Sequence, residues 1–130
     1  MHQSNKTVGA IGEDEAVKLL RQKGYRILER NFHTRWGEID IIARDKREEP
    51  FLLIFAEVKT KTGEQYGEPW EMVNKQKLQQ VKNMAQVYLT KNGLGETACR
   101  IDVIGVWLNL DHSVNNIEHW ANVTELDLEK

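Results

Sequence analysis

Apolar residues recur at helical spacing in two stretches of the chain and alternate or run together between them. Over residues 10–23, Ala16, Val17, Leu19 and Leu20 form the stripe of an amphipathic helix, with Gly24 ready to stop it. Glu13, Asp14 and Glu15 then fall in its first turn, where negative charge suits the positive helix end. Residues 25–32 read as a strand with Tyr25, Ile27 and Leu28 inward, and after a turn near His33–Gly37, residues 38–45 read as a second. A polar loop over 45–50, closed by Pro50, leads into residues 51–61. The apolar run from Phe51 to Ala56 is what a central strand covered on both faces requires. Residues 62–69 carry two glycines and a proline and predict a loop. The longest periodic segment, 70–93, places Val73, Leu78, Val81, Met84, Ala85, Tyr88 and Leu89 on one helical face and ends at Asn92–Gly93. Strands over 100–108 and 117–123 complete the order. Three adjacent strands between two helices predict an α/β fold, a central mixed β-sheet of four or five strands flanked by α-helices. Residues 9–125 make one domain, and residues 1–8 a polar, disordered leader.

Composition narrows the class. A chain of 130 residues buries about two thirds of its unfolded surface, enough for a core without staples. A single cysteine, Cys99, excludes an intrachain disulfide framework and a cysteine-rich metal site. The first residues hold no apolar segment of secretory type, and six consecutive apolar residues are too few to span a bilayer. The expectation is a cytoplasmic domain without a membrane partner. Net charge is −2 in total, but its layout is uneven: +3 over residues 1–35, −3 over 36–58, +3 over 59–92 and −4 over 109–130. An acidic strand region between basic segments is compatible with a cation-dependent site beside a phosphate-contacting surface, and equally with ordinary solvated faces.

Four ionisable residues sit where the pattern calls for burial. Glu38, Asp40 and Ile42 share one face of the second strand, with Ile39 and Ile41 on the other. In the third strand a solidly apolar face ends in Glu57 and Lys59, about 6.6 Å apart at ~3.3 Å rise per residue. Glu13 precedes Ala16, Val17 and Leu20 by three, four and seven residues and so extends the core-facing stripe of the first helix. Buried charges of this kind need a partner or a metal. Asp40 and Glu57 on neighbouring strands suit a hard divalent cation, Mg²⁺ or Mn²⁺, with Glu13 approaching directly or through water. Lys59 beside them is placed to orient a water or stabilise charge on a phosphorane oxygen. An Asp40–Lys59 or Glu57–Lys59 ion pair of purely structural purpose satisfies the same spacing. Asp102 reads as a loop or helix-cap partner rather than a ligand. His2, His33, His112 and His119 lack metal spacing and read as surface or turn residues. Trp36, Trp107 and Trp120 are core candidates, whereas Trp70, beside Pro69, is a candidate stacking platform.

The segments G-x-x-G-E-D-x-A (Gly9 to Ala16), G-Y-x-I-L-x-R-N (Gly24 to Asn31), W-G-E-I-D-I-I-A (Trp36 to Ala43) and F-A-E-V-K-T-K (Phe55 to Lys61) resemble uncharacterised protein family 0102, the YraN-like proteins. The likeness runs on through Gly67, Val73, Lys77, Ala85, Tyr88 and Leu89 to Arg100–Val103. That family is similar to the restriction-endonuclease-like superfamily and its archaeal Holliday-junction resolvases. The resemblance implies a restriction-endonuclease-like core with a PD-(D/E)xK site made of Glu13, Asp40, Glu57 and Lys59. It also implies metal-dependent hydrolysis of phosphodiester bonds in DNA, branched forms included, and a homodimer as one way to grip a branched substrate. Lys77 matches a basic position of the second helix that would face DNA; Lys61, Lys75 and Lys82 lie in the same basic segment. A non-catalytic nucleic-acid-binding or scaffolding domain is the alternative.

Overall fold

Thr7 starts the first helix earlier than periodicity suggests. Its hydroxyl accepts the Ala10 N–H at 3.1 Å, and α1 runs Val8–Gln22. Val8 is therefore helical rather than part of a frayed leader, and no acidic residue lies in the first turn. Glu13, Asp14 and Glu15 fall a turn later, where Asp14 pairs with Lys6 and Arg30 instead of acting on the helix end. The computed structural model describes residues 6–47, 52–63 and 74–123. After α1 come β1 (Tyr25–Thr34), β2 (Gly37–Asp45), β3 (Leu52–Thr62), α2 (Lys75–Lys91), β4 (Cys99–Leu108) and β5 (Val114–Trp120). Trp70 and Val73, expected on a loop and on the second helix, lie outside the described residues, as do Pro50, Phe51 and Gly67. Asn74 caps α2 by accepting the Lys77 N–H at 2.7 Å.

The strands form one sheet in chain order, β1-β2-β3-β4-β5. The β3–β4 pair is parallel and the other three pairs are antiparallel, so α2 lies in the crossover that the parallel pair requires. This is the expected mixed α/β architecture, with α1 on one face and α2 on the other. β3 shows why its apolar run is unbroken: Ile54 and Ala56 pack under α1, while Leu53 and Phe55 pack under α2. Ala16, Val17 and Leu20 seal the first core; Val81, Met84, Ala85, Tyr88 and Leu89 seal the second. Trp107 is buried against Trp120, with ring centroids 6.3 Å apart. Among the described residues no helix is long and apolar enough to cross a membrane.

Strict alternation fails at two points in the β1–β2 hairpin. A register shift between Ile27 and Glu29 turns Leu28 outward, 41% exposed, against the expectation that it faces in. Further along, Ile39 joins Phe32 under α2 while Ile41 joins the α1 core, although alternation puts Ile39 and Ile41 on one face. Opposite this slip Asn31 has φ 54°, a left-handed conformation that asparagine tolerates better than most residues. Pairing of β2 with β3 stops beyond Ile41↔Ala56, and the candidate site occupies the gap.

Candidate active site

Where β2 and β3 part, a side chain takes over from the ladder. The Val58 N–H donates to Asp40 Oδ2 at 2.8 Å, so the carboxylate does the work of a strand carbonyl and is held between the two strands. Asp40 lines a cleft of about 340 Å³ together with Glu13, Arg30, Asn31 and Val58. Glu13 is buried as its stripe position predicted, and Oε1 accepts from Arg30 Nε at 2.8 Å and Asn31 Nδ2 at 3.1 Å. Its depth is set by the preceding residue. A Cβ on Gly12 would meet Thr60 Oγ1 at 1.8 Å, so only glycine lets α1 lie this close to β3.

Glu57 is 2% exposed. Its Oε2 lies 3.6 Å from Lys77 Nζ of α2, and its Oε1 has no hydrogen-bond partner among the described residues. Burial and the nearby Asp40 charge raise the Glu57 carboxyl to about 7, against the opposing pull of Lys77 and Lys59. Asp40 is raised too, by burial first and then by Glu13 and Glu38, although the Val58 N–H favours its charged form. The two carboxylates thus feel each other and resist simultaneous ionisation without added positive charge. Among the described residues no group of three acidic, histidine or cysteine side chains is arranged to hold a metal ion by itself.

The cationic residues divide. Lys59 is exposed on β3, one strand position past Val58, and no Glu57–Lys59 pair within 4.0 Å is formed among the described residues. Lys77, expected to face DNA, instead turns inward to Glu57 and approaches Gln80 Oε1 at 3.3 Å. Its position gives the reason: it precedes Val81 and Met84 by four and seven residues, on the buried edge of α2. That spacing was the available signal for a site residue. Lys61 is half-buried near the end of β3, and Lys75 and Lys82 are exposed on α2. Arg30 and Asn31, which hold Glu13, were absent from the sequence-based candidates. Their signal is an asparagine at a strand position that breaks the alternation.

A second polar cluster lies under the α1 side of the sheet. Asp102, 0% exposed, accepts from Arg100 Nε at 3.0 Å, the Asn122 N–H at 2.9 Å and His119 Nε2 at 2.7 Å. It is the loop partner expected from sequence, but His119 is not the surface residue expected, since its side chain is 3% exposed. The Tyr25 hydroxyl accepts from Arg100 Nη2 at 2.6 Å, and the Tyr25 ring stands edge-on to His119. Burial pushes the Asp102 carboxyl up, yet the bonds from His119, Arg100 and Asn122 outweigh it and hold the group below the usual carboxylate range.

The structure therefore defines an α/β domain whose parting central strands carry two mutually repelling carboxylates. Residues 12–106 match the uncharacterised protein family UPF0102, and the chain belongs to that family. It is 42% identical over 118 residues to a UPF0102 protein of Desulforamulus reducens, covering 90% of this chain and 94% of that one. It is 43% identical over 122 residues to a UPF0102 protein of Trichlorobacter lovleyi, covering 94% and 93% respectively. A Clostridium botulinum UPF0102 protein is 40% identical over 127 residues, covering 97% of this chain and all of its own length (100%). Among solved structures, a chain of an EndoMS–dsDNA complex is similar at a TM-score of 0.43 and 15% identity, over 83% of this chain and 38% of that one.

Proposed function

We propose that this protein is a cytoplasmic, divalent-metal-dependent nuclease that hydrolyses phosphodiester bonds in DNA, branched forms included. The observation that carries the reading is Glu57: a buried carboxylate with one bare oxygen, raised to about 7 beside a second raised carboxylate. An arrangement kept only for stability would satisfy that oxygen. The donor set is all oxygen and suits Mg²⁺ or Mn²⁺, which keep several waters and need few protein ligands. Asp40, from the cleft it shares with Glu13, and Glu57, from the α2 side, would hold the cation between them, with Glu13 reaching it through water. When bound, it supplies Lewis-acid charge at the phosphate and lowers the pKa of a water. The chain's own groups do the remaining work. The Val58 N–H fixes one Asp40 oxygen, Arg30 and Asn31 fix Glu13, and Lys77 holds Glu57 in place. Lys59, exposed on β3, would meet a scissile phosphate and stabilise its developing charge.

The test is a cleavage screen over single-stranded, duplex, flap and four-way DNA with Mg²⁺ or Mn²⁺. Wild type should cut at least one form. Asp40→Asn should lose cutting and metal binding together, whereas Lys59→Ala should lose cutting and keep most DNA affinity. A folded, metal-loaded Lys59→Ala that cuts at the wild-type rate removes Lys59 from the mechanism. A wild type that cuts nothing with either metal favours a nucleic-acid-binding or scaffolding domain instead.

A further inference from the structure

Trp36 was expected in the core, and the structure leaves it 62% exposed at the tip of the β1–β2 hairpin. A lone exposed indole is ordinary. This one is held in place and faces a built groove. The Trp36 N–H donates to Thr34 Oγ1 at 3.1 Å, and its carbonyl accepts from Gln80 Nε2 at 3.2 Å. The next residue, Gly37, comes so near α2 that a Cβ there would lie 2.9 Å from Gln80 Nε2. The Arg35 guanidinium lies 4.5 Å from the centroid of the indole ring. Between the indole and the outer face of α2 runs an open, mostly apolar groove of about 700 Å³, lined by Gln76, Gln79, Gln80, Asn83, Met84 and Val87.

Two features identify what fits. Among the described residues no ionisable side chain lines the groove, yet α2 from Lys75 to Lys91 carries four lysines, one of them turned to Glu57, and no acid. That charge favours a polyanion and disfavours a second copy of this chain, which a two-fold contact would bring lysine against lysine. The surface itself pairs a flat π-face with side-chain amides. Gln80 is bonded to the Trp36 carbonyl and Lys77, and Gln79 to Asn83, which leaves Gln76 and the remaining amide N–H groups to meet the edge of a stacked nucleobase. Trp36 also lies four residues before Asp40 in the same hairpin, roughly 13 Å away in extended chain. A base held on it would be within a few nucleotides of the carboxylates.

We propose that the groove between Trp36 and α2 is a stacking site for an unpaired nucleobase of a DNA strand. The preferred substrate then carries a single-stranded or extruded nucleotide beside the point of attack, rather than continuous duplex. Its placement next to a cleavage point rests on the nuclease reading above; the stacking itself does not. The test uses the wild-type chain in EDTA and fluorescein-labelled DNA hairpins. One carries a single unpaired base, one an abasic residue at that position, and one is fully paired. Binding is read by anisotropy and by tryptophan emission. The unpaired base should give the tightest binding and quench Trp36. Trp36→Ala should remove that preference, costing about tenfold or more in affinity, and Trp36→Phe should keep most of it. Trp36→Ala with undiminished preference overturns the site, as does failure to bind any of the three DNAs. Protection of the indole by raising protein concentration alone, seen with a matching rise in sedimentation coefficient, overturns it in favour of self-contact. Parallel cleavage assays with Mg²⁺ separate the two readings. A base-dependent affinity without cleavage keeps the stacking site and sinks the nuclease, whereas cleavage without any effect of Trp36→Ala does the reverse.

Discussion

Asp102 and Glu57 stand one register step apart in the parallel pair, since Ala56 aligns with Asp102 and Glu57 with Val103. Both are cut off from water, at 0% and 2% exposure. Asp102 is surrounded by donors on the α1 side, and its carboxyl is held low. Glu57, toward α2, has one ammonium at 3.6 Å and one bare oxygen, and its carboxyl is held high. The same sheet therefore contains a buried charge that is fully satisfied and one that is left wanting positive charge. The first kind contributes to the fold, and the second costs stability and is available for chemistry.

The largest test of that contrast is Asp102→Ala. It strands Arg100 and His119, and urea unfolding at pH 7 should show a loss of about 3–5 kcal/mol. A variant as stable as wild type would show that the network contributes nothing and end the comparison. Glu57→Gln should act in the opposite direction. Burial and the Asp40 charge raise the folded Glu57 carboxyl from its ordinary 4.5 to about 7, so the native state keeps a proton that the unfolded chain has already lost. Stability is favoured below about pH 4.5 and is lost as pH rises through 7. In metal-free buffer Glu57→Gln should match wild type near pH 4 and exceed it at pH 8, by up to about 3 kcal/mol. Added Mg²⁺ should stabilise wild type alone and narrow the gap. Equal stability at both pH values would mean that Glu57 is not a strained group.

Gly12→Ala probes how α1 delivers Glu13 to the cleft it shares with Asp40. The new methyl meets Thr60, and the expected cost is about 1–3 kcal/mol in thermal or urea unfolding. Thr60→Ala in the same chain should recover part of that loss, a coupling that a double-mutant cycle measures directly. The smallest effect is that of Lys77→Met, which takes the nearest cation from Glu57. It should raise the Glu57 midpoint by about one pH unit in an NMR carboxyl titration, whereas Lys59→Met, on an exposed side chain, should shift it less. The reverse order would return the pairing role to Lys59.

Local pattern in the chain determined much of this molecule. The period of Ala16, Val17 and Leu20 specifies α1, that of Val81, Met84, Tyr88 and Leu89 specifies α2, and the double-sided apolar run of β3 demands cover on both faces. Those patterns also single out Glu13, Asp40 and Glu57, because a carboxylate in an apolar stripe is visible one element at a time. Only tertiary structure decided the partners. Glu57 meets Lys77 twenty residues on, and Asp102 meets His119 across the β4–β5 pair; neither separation leaves a periodic trace. Hydrophobicity alone sent Trp36 inward and His119 outward. At the hairpin tip no described element packs over the indole, and a strand can carry an imidazole under the sheet when a carboxylate waits there. The gap that holds Asp40 arises the same way. One left-handed asparagine slips the alternation of two strands, and which carboxylate fills the opening depends on where β2 and β3 cease to pair.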